Sequence, residues 1–450
     1  MFRRTRLRRA ARDAPNSPSD MAQAPPRRER YASGGQSDFA DALGFLRWTE
    51  AQRAHSRAID RIRTQVANGE RVRIGFAVNE ESKWNANELL ETLVRQGFEA
   101  KIYLGRPPGH VIGSKREAKA LERLHEFFQG KPAPTAMLYT PSNGFQLSAD
   151  YIDSDVVFFQ QPWGFQNYPA QGLGQFLSAY MHYGFPVVAN EAMHYTMPGF
   201  HPYLWRYFAP TEWHKSLYVD TVPFALSAVK VTGYPKLDFY RQRQAIQAEG
   251  KPDAKSLDRL HLIYAPHHAL DPASIQLGTF DWSGQLILEI ASRRRDIRWT
   301  YKPHPKMRRG VKKSGLMSTA EYDRYVNAWD ELPNAEVRDG GDYFDVFTAS
   351  DGLITDCGSF LAEYMPTGSP ILWLDSQKGV GLNAYGKRLA QGLYRCTDPS
   401  DLDAALEALF NHGVDPLAPI RASLRDELLS GAVSASEAVT REMVSELFAV

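Results

Sequence analysis

A run of small polar residues from Thr355 to Ser359 (TDCGS) follows a short apolar segment and precedes a segment with helical periodicity. The pattern predicts a strand over residues 352–355, a tight turn, and a helix over residues 359–366. Free backbone N–H groups at such a turn, with the positive end of a helix, suit a phosphate. Glu363 would lie one turn further on, where it could accept hydrogen bonds from ribose hydroxyls. The simpler interpretation is a serine that caps an ordinary helix.

His304 lies between two prolines, directly after a predicted strand over residues 297–301. The prolines restrict the loop, so the imidazole would be held near the carboxyl end of that strand. A histidine near neutral pH can donate a hydrogen bond to a phosphate or move a proton. Lys302 and Lys306 would add positive potential. The simpler interpretation is a loop histidine bonded to a backbone carbonyl.

The pair His267 and His268 follows a third predicted strand, over residues 261–264. Paired histidines invite a metal interpretation. Adjacent side chains rarely face one ion, however, and no cluster of carboxylates or cysteines accompanies them. We therefore predict no metal site and no cofactor.

The first half of the chain carries several histidines among aromatic residues: His182, His194, His201 and His214. Glu191 and His194 follow a predicted strand over residues 186–189, and a general base that serves an acceptor would be expected in such a loop. The two residues compete for that role. For any single one of these histidines, a structural role is the simpler interpretation.

Strands alternate with helices along the chain, which predicts parallel sheets covered on both faces. The expected fold class is α/β, with two Rossmann-like domains that face a central cleft (GT-B type). We expect a disordered arginine-rich tail over residues 1–37 and an acceptor domain over 38–240. A linker should follow over 241–258, then a nucleotide-donor domain over 259–412 and C-terminal helices over 413–450. Within the first domain, residues 171–183 are predicted to be helical.

Composition limits the function further. The 450 residues carry a formal net charge of +1 and two cysteines, which argues against nucleic acid as a partner and against a disulfide framework. No apolar run is long enough to span a membrane, so we expect a cytoplasmic protein. Residues 1–30 hold nine arginines against three acidic residues. This tail has three interpretations: a translation start at Met21, a peripheral contact with anionic lipid at the inner face of the cell membrane, or a solvated segment.

Four motifs in order, within residues 186–400, resemble the CDP-glycerol glycerophosphotransferase family of teichoic acid and capsule biosynthesis. They are Gly233–Asp238, Tyr264–Pro266 with Phe280–Trp282 after it, Lys302–Pro305, and Ser350–Ser359. The resemblance implies that His304 contacts phosphate. It also implies a donor-binding set made of Pro266, His267, Lys302, Thr355, Asp356, Gly358, Ser359 and Glu363. This chain has Cys357-Gly358 where the family has Tyr-Ser. It has no clean Trp-His-Gly acceptor motif, to which His194 is the nearest match by position.

The reaction implied by this resemblance is substitution at phosphorus. An acceptor hydroxyl, deprotonated by His194 or Glu191, would attack the β-phosphate of CDP-glycerol or CDP-ribitol, and CMP would leave. The acceptor would be a polyol or glycan, free or lipid-linked. Two alternatives stay open: a GT-B glycosyltransferase or epimerase that uses a nucleotide sugar, and a non-catalytic nucleotide-binding protein.

Overall fold

A computed structural model describes residues 42–108, 111–138, 149–190, 194–248, 259–340 and 343–448. Within these ranges the chain forms two sheets in which all paired strands are parallel. The first contains β1 (Arg73–Val78), β2 (Glu99–Leu104), β3 (Thr135–Met137), β4 (Val156–Phe159), β5 (Leu177–Tyr180), β6 (Arg206–Ala209) and β7 (Val229–Val231). The second contains β8 (His261–Ala265), β9 (Arg298–Tyr301), β10 (Ala335–Val337), β11 (Gly352–Thr355), β12 (Ile371–Leu374) and β13 (Tyr394–Cys396).

Helices cover the faces of both sheets. In the first half they are α1 (Ala42–Ala67), α2 (Asn87–Arg95), α3 (Lys115–Phe128), α4 (Tyr168–Gln171), α5 (Glu212–Thr221) and α6 (Asp238–Ala248). The second half has α7 (Phe280–Arg293), α8 (Met307–Lys313), α9 (Thr319–Asp330), α10 (Phe344–Thr348), α11 (Gly358–Glu363), α12 (Ala384–Leu389), α13 (Pro399–Leu406), α14 (Ala418–Leu428) and α15 (Ala435–Leu447). Among the described helices, none combines the length and apolar character that crossing a membrane requires.

The central strands read as continuous apolar runs because both of their faces are covered. Every residue of β4 and β8 is buried, which is typical of strands inside parallel α/β sheets. The strand order is β3-β2-β1-β4-β5-β6-β7 in the first sheet and β10-β9-β8-β11-β12-β13 in the second. In each sheet the order of the strands therefore reverses beside its first strand, as in the Rossmann arrangement. The predicted class, α/β with two Rossmann-like halves, is confirmed.

Two predicted elements of the first half are wrong. Residues 171–183 were expected to be helical, but they contain β5, which lies fully buried between β4 and β6. A short, mostly apolar run such as Leu177–Tyr180 does not reveal its period, so a buried strand and a buried helix look alike in sequence. Residues 186–189 were expected to form a strand of the first sheet. Instead, Val188 makes an isolated antiparallel bridge with Leu382 of the second half.

The two halves share apolar packing. One buried cluster joins Phe185, Val187 and Tyr234 of the first half to Ile263 and Leu361 of the second, among others. Helix α15 returns to the first half, where its residues Val439, Met443 and Leu447 belong to the core around β1. Part of the expected linker lies in α6, while residues 249–258 and the expected tail, 1–37, lie outside the described residues.

Candidate functional site

Three loops of the second half converge because they leave adjacent strands at the same edge. The loops follow β9, β8 and β11, which are neighbours in the sheet. They carry His304, the His267–His268 pair and the run from Thr355 to Ser359. Ligands of such sheets bind at the carboxyl ends of the strands, beside the point where the strand order reverses. The sequence motifs are therefore brought together by topology.

Asp356 holds two of these loops in place. Its carboxylate accepts hydrogen bonds from the backbone N–H of His267, from the Thr279 N–H at 2.7 Å and from the Thr279 hydroxyl at 2.9 Å. Burial raises the pKa of this carboxyl to about 7, against the lowering effect of those donors. The Thr355 hydroxyl donates to the Ala265 carbonyl at 2.6 Å and accepts from the Cys357 N–H at 3.0 Å. Both side chains thus shape the loop from inside.

The three histidines form one stacked cluster. The centre of the His304 ring lies 4.0 Å from the centre of the His268 ring, and these two rings are nearly parallel. It lies 5.1 Å from the centre of the His267 ring. His304 Nδ1 accepts from the Lys306 N–H at 3.0 Å, and His267 Nδ1 accepts from the Ala269 N–H at 3.2 Å. Burial lowers the pKa of both groups well below the usual histidine range. Each neutral ring with an accepting Nδ1 must carry its proton on Nε2, so both offer an Nε2–H donor.

The cluster suits an anion better than a cation. One ligand atom from each of its histidines lies within 4.8 Å of the others, which by distance alone is compatible with a metal ion. Coordination through Nε2, however, needs the proton on Nδ1, and in His267 and His304 that atom accepts a backbone hydrogen bond. Lys83 and Lys306 also lie close enough to lower the pKa of all three rings. A positive environment with outward N–H donors favours a phosphate.

The turn before α11 is closely approached by the first half. A Cβ on Gly358 would lie 2.4 Å from Cγ2 of Val188, so glycine is needed there for interdomain packing. Ser359 is half-buried, and a Cβ on Gly184 would lie 3.3 Å from its Cβ. Helix α11 has six residues, so its dipole is weaker than the one expected from the sequence. A phosphate would depend mainly on the local N–H groups and the serine hydroxyl.

Glu363 is fully buried in a polar cluster. Its carboxylate accepts from the Tyr234 hydroxyl at 3.3 Å and from the Tyr343 hydroxyl, and it pairs with Lys236 at 3.4 Å. A carboxylate has about four acceptor positions, and protein groups occupy three of them in Glu363. Tyr234 and Lys236 lie in one turn, within the Gly233–Asp238 motif, but the sequence analysis assigned them no role. Tyr343 comes from a separate segment and was missed.

Lys302 and Pro266 help to position the histidine loops. The Lys302 ammonium donates to the Gly340 carbonyl at 3.1 Å and lies 5.2 Å from the centre of the Tyr343 ring. The Pro266 carbonyl accepts from the His304 N–H at 3.1 Å. The contacts of both residues therefore run within the second half.

On the first half, His194 lies against Trp163 and His182, with ring centres 5.4 Å and 5.1 Å away. Its Nδ1 is buried and has no hydrogen-bond partner in the part of the chain that the structure describes. Burial first, and then the charge of Lys83, lowers the pKa of His194 to about 4. Glu191, the competing candidate base, lies outside the described residues.

The other three candidate histidines of the first half, His182, His201 and His214, are engaged internally. His182 contacts the hydroxyls of three tyrosines, Tyr180, Tyr195 and Tyr207, each at 3.1 Å. His201 Nδ1 accepts from the Met197 N–H at 3.0 Å, and His214 contacts Thr211 and the Pro186 carbonyl. These contacts fit the structural interpretation.

Lys83 is a residue of this region that the sequence analysis missed. It ends a short turn after β1, and its side chain is buried, with 8% exposure. Its ammonium lies 3.7 Å from the centre of the Tyr183 ring. Lys83 lowers the pKa of His194 on its own half and of His304 on the other half. Its position directly after a central strand was the available signal.

The overall arrangement is similar to solved structures of two kinds. A variant of the wall teichoic acid polymerase TagF is 10% identical over 89% of this chain and 98% of that chain, with a TM-score of 0.52. UDP-GlcNAc 2-epimerase from Neisseria meningitidis, bound to UDP-GlcNAc, is 13% identical over 83% of this chain and 100% of that chain, with a TM-score of 0.51. MnaA from S. aureus with UDP is 13% identical over 84% of this chain and 98% of that chain, with a TM-score of 0.51.

These similarities extend over nearly the whole length of those proteins, and at such low identity they show the fold. The fold is GT-B-like: two Rossmann-like halves whose carboxyl edges meet. No protein-family model matches the chain, and no curated protein matches it in sequence.

Proposed function

We propose that this protein is a transferase that moves glycerophosphate, or a related polyol phosphate, from a CDP-alcohol to an acceptor hydroxyl. The observation that carries the proposal is the histidine cluster, in which His267 and His304 offer Nε2–H donors amid lysines. Such a surface stabilises charge on phosphate oxygens. Order and spacing of the four motifs, and the TagF-like fold, support the choice of donor.

The donor-binding residues divide into two groups in this proposal. His267, His304 and Ser359 contact the diphosphate, and Glu363 accepts a ribose hydroxyl. Asp356 and Thr355 fix the loops, since their side chains bond to the protein itself. Gly358 leaves room for the close approach of the first half. Pro266 and Lys302 hold the His304 loop through the contacts described above.

The reaction proceeds by attack of the acceptor oxygen on the β-phosphorus. A bond forms between that oxygen and phosphorus, while the bond from phosphorus to the bridging oxygen breaks and CMP leaves with the electron pair. The acceptor proton moves to His194 or Glu191. Burial and Lys83 keep His194 neutral at pH 7, so it has a lone pair for the proton. A bound phosphate offsets the charge of Lys83 and makes His194 more basic.

The second candidate is a GT-B enzyme that uses a nucleotide sugar, a glycosyltransferase or an epimerase. The epimerase structures match the fold as well as TagF does, with TM-scores of 0.51 and 0.52. Removal of a proton from a sugar carbon calls for a free base beside it. Asp356 and Glu363 are both held by several donors, which favours phosphate transfer over epimerisation.

Nucleotide release separates these candidates. The protein is incubated with CDP-glycerol, CDP-ribitol or UDP-sugars and a glycerol phosphate oligomer, and CMP and UDP are measured. CMP release that needs the acceptor is expected. UDP release without CMP would replace the proposal by the second candidate, and nucleotide binding without any release would favour a non-catalytic protein. Acceptors on lipid carriers, added in vesicles, test whether transfer occurs in the cytoplasm at the membrane face.

A further inference from the structure

A lysine in the first half is buried without a counter-ion. Lys83 is 8% exposed, and no carboxylate lies within ion-pair distance of its ammonium among the described residues. The nearby Glu80 is already taken, since it pairs with Lys306 at 3.0 Å. Burying an unpaired charge is unfavourable, and the contact of the Lys83 ammonium with the Tyr183 ring at 3.7 Å offsets only part of that cost. Stability alone does not account for this lysine.

The surroundings of Lys83 indicate where its counter-ion belongs. The Lys83 ammonium lies over the ring of Tyr183. The next residue, Gly184, closely approaches Ser359 of the run from Thr355 to Ser359. On the other side, the Glu80–Lys306 ion pair joins the Lys83 turn to the loop that carries His304. The lysine therefore lies between the halves, close enough to the histidine cluster for its charge to lower the pKa of all three rings. Its charge also acts on His194 and His304, as their lowered pKa values report.

We propose that Lys83 binds a phosphate or diphosphate group in the cleft, as the contribution of the first half to an anion site whose other wall is the His267–His268–His304 cluster. This inference rests on the proposed function for the identity of the anion as the donor diphosphate. Because Lys83 lies on the side of His194, it contacts the phosphate that the acceptor attacks. The site is complete only when both halves contribute to it.

Inorganic pyrophosphate is the probe, because it carries the anion without the nucleotide. Its binding is measured by calorimetry, and its effect on the melting temperature by thermal unfolding, for the full chain and the variants Lys83→Met and Lys83→Arg. Lys378→Met is the matched control, since Lys378 is exposed and pairs with Asp281. We expect Lys83→Met to raise the dissociation constant at least tenfold, Lys83→Arg to retain part of the affinity, and the control to bind as the wild type does.

The melting temperature without ligand gives an independent readout. If Lys83 serves an anion, Lys83→Met melts at or above the wild-type temperature, because an unpaired buried charge has been removed, and pyrophosphate no longer stabilises it. Unchanged pyrophosphate affinity in Lys83→Met overturns the inference, as does a lower melting temperature with an unchanged pyrophosphate shift. Absence of CMP release, with Lys83-dependent pyrophosphate binding intact, would reject the proposed reaction and leave the anion site standing.

Discussion

At the scale of single residues, backbone hydrogen bonds decide what the histidines offer to a ligand. Both His267 and His304 accept an N–H at Nδ1, which leaves Nε2–H as the group available for a ligand. Sequence indicated that His304 lies in a constrained loop. It could not indicate the tautomer, because the donors, the Lys306 and Ala269 N–H groups, are set by the path of the folded loops.

This assignment predicts different behaviour for two amides at position 304. In His304→Asn, the short amide still accepts the Lys306 N–H but offers nothing at the Nε2 position. Turnover should fall roughly 10²–10³-fold, the usual loss for one donor to a charged transition state. His304→Gln places an N–H₂ near the Nε2 position and should retain more activity. CMP release at saturating donor measures both, and an Asn variant within about twofold of wild type would remove His304 from the mechanism.

Ser359 provides a second test at this scale. Removing its hydroxyl in Ser359→Ala leaves a phosphate oxygen without a partner and should weaken donor binding by roughly 1–3 kcal/mol. Calorimetric titration with CDP measures the change. Ser292→Ala, which removes an exposed helix hydroxyl of the same half, is the control. Equal affinity in Ser359→Ala and the control would mean that the loop does not hold the nucleotide.

At the scale of elements, the segment 186–189 shows how tertiary contacts override a local pattern. Its apolar residues fit a strand, yet its hydrogen bonds go to the second half: Ala189 N–H donates to the Gly381 carbonyl and Asn383 N–H to the Val187 carbonyl, both at 3.0 Å. The segment thus ties the first half to the loop between β12 and α12. In the first sheet the next strand beside β5 is β6, and the helix that follows β6 is α5.

This contact predicts a coupled pair of substitutions. Gly358→Ala puts a Cβ 2.4 Å from Val188 Cγ2, so the loop and segment must separate, at a cost of about 1–3 kcal/mol in the free energy of unfolding. Val188→Ala removes the clashing methyl, and the double variant should recover part of that loss. Urea unfolding of the four proteins gives the coupling energy. Purely additive losses would contradict the proposed close packing.

At the scale of the whole molecule, buried neutral histidines set the pH dependence of stability. Burial lowers the pKa of His55, His194 and His214 to about 4 and that of His201 and His268 to about 3. A folded pKa below the unfolded value of about 6.5 means that the unfolded state takes up more protons in acid. Their stabilising contribution is complete above pH 6.5 and is lost as the pH falls towards 4.

The free energy of unfolding should therefore fall steeply between pH 7 and pH 5, by about 2 kcal/mol for each histidine whose pKa is about 4. The raised pKa values of two buried carboxyls, Asp356 at about 7 and Asp238, act in the opposite sense. Urea unfolding at both pH values measures the difference. His55→Gln removes one buried titrating group away from the cleft. It should reduce the difference in the free energy of unfolding by about the contribution of one histidine. A pH-independent midpoint would show that these rings are accessible to protons when folded.

The sequence by itself determined the α/β class, the two Rossmann-like halves and the loops that carry His304 and Ser359, because alternating apolar segments and turn residues are local signals. The bounds of β11 agree with the prediction to the residue. Tertiary structure alone decided that 171–183 contains a strand, that 186–189 serves the interface, that α15 returns to the first half, and that Lys83 is buried opposite the histidines. These features depend on contacts between residues far apart in the chain, and local periodicity carries no record of such contacts.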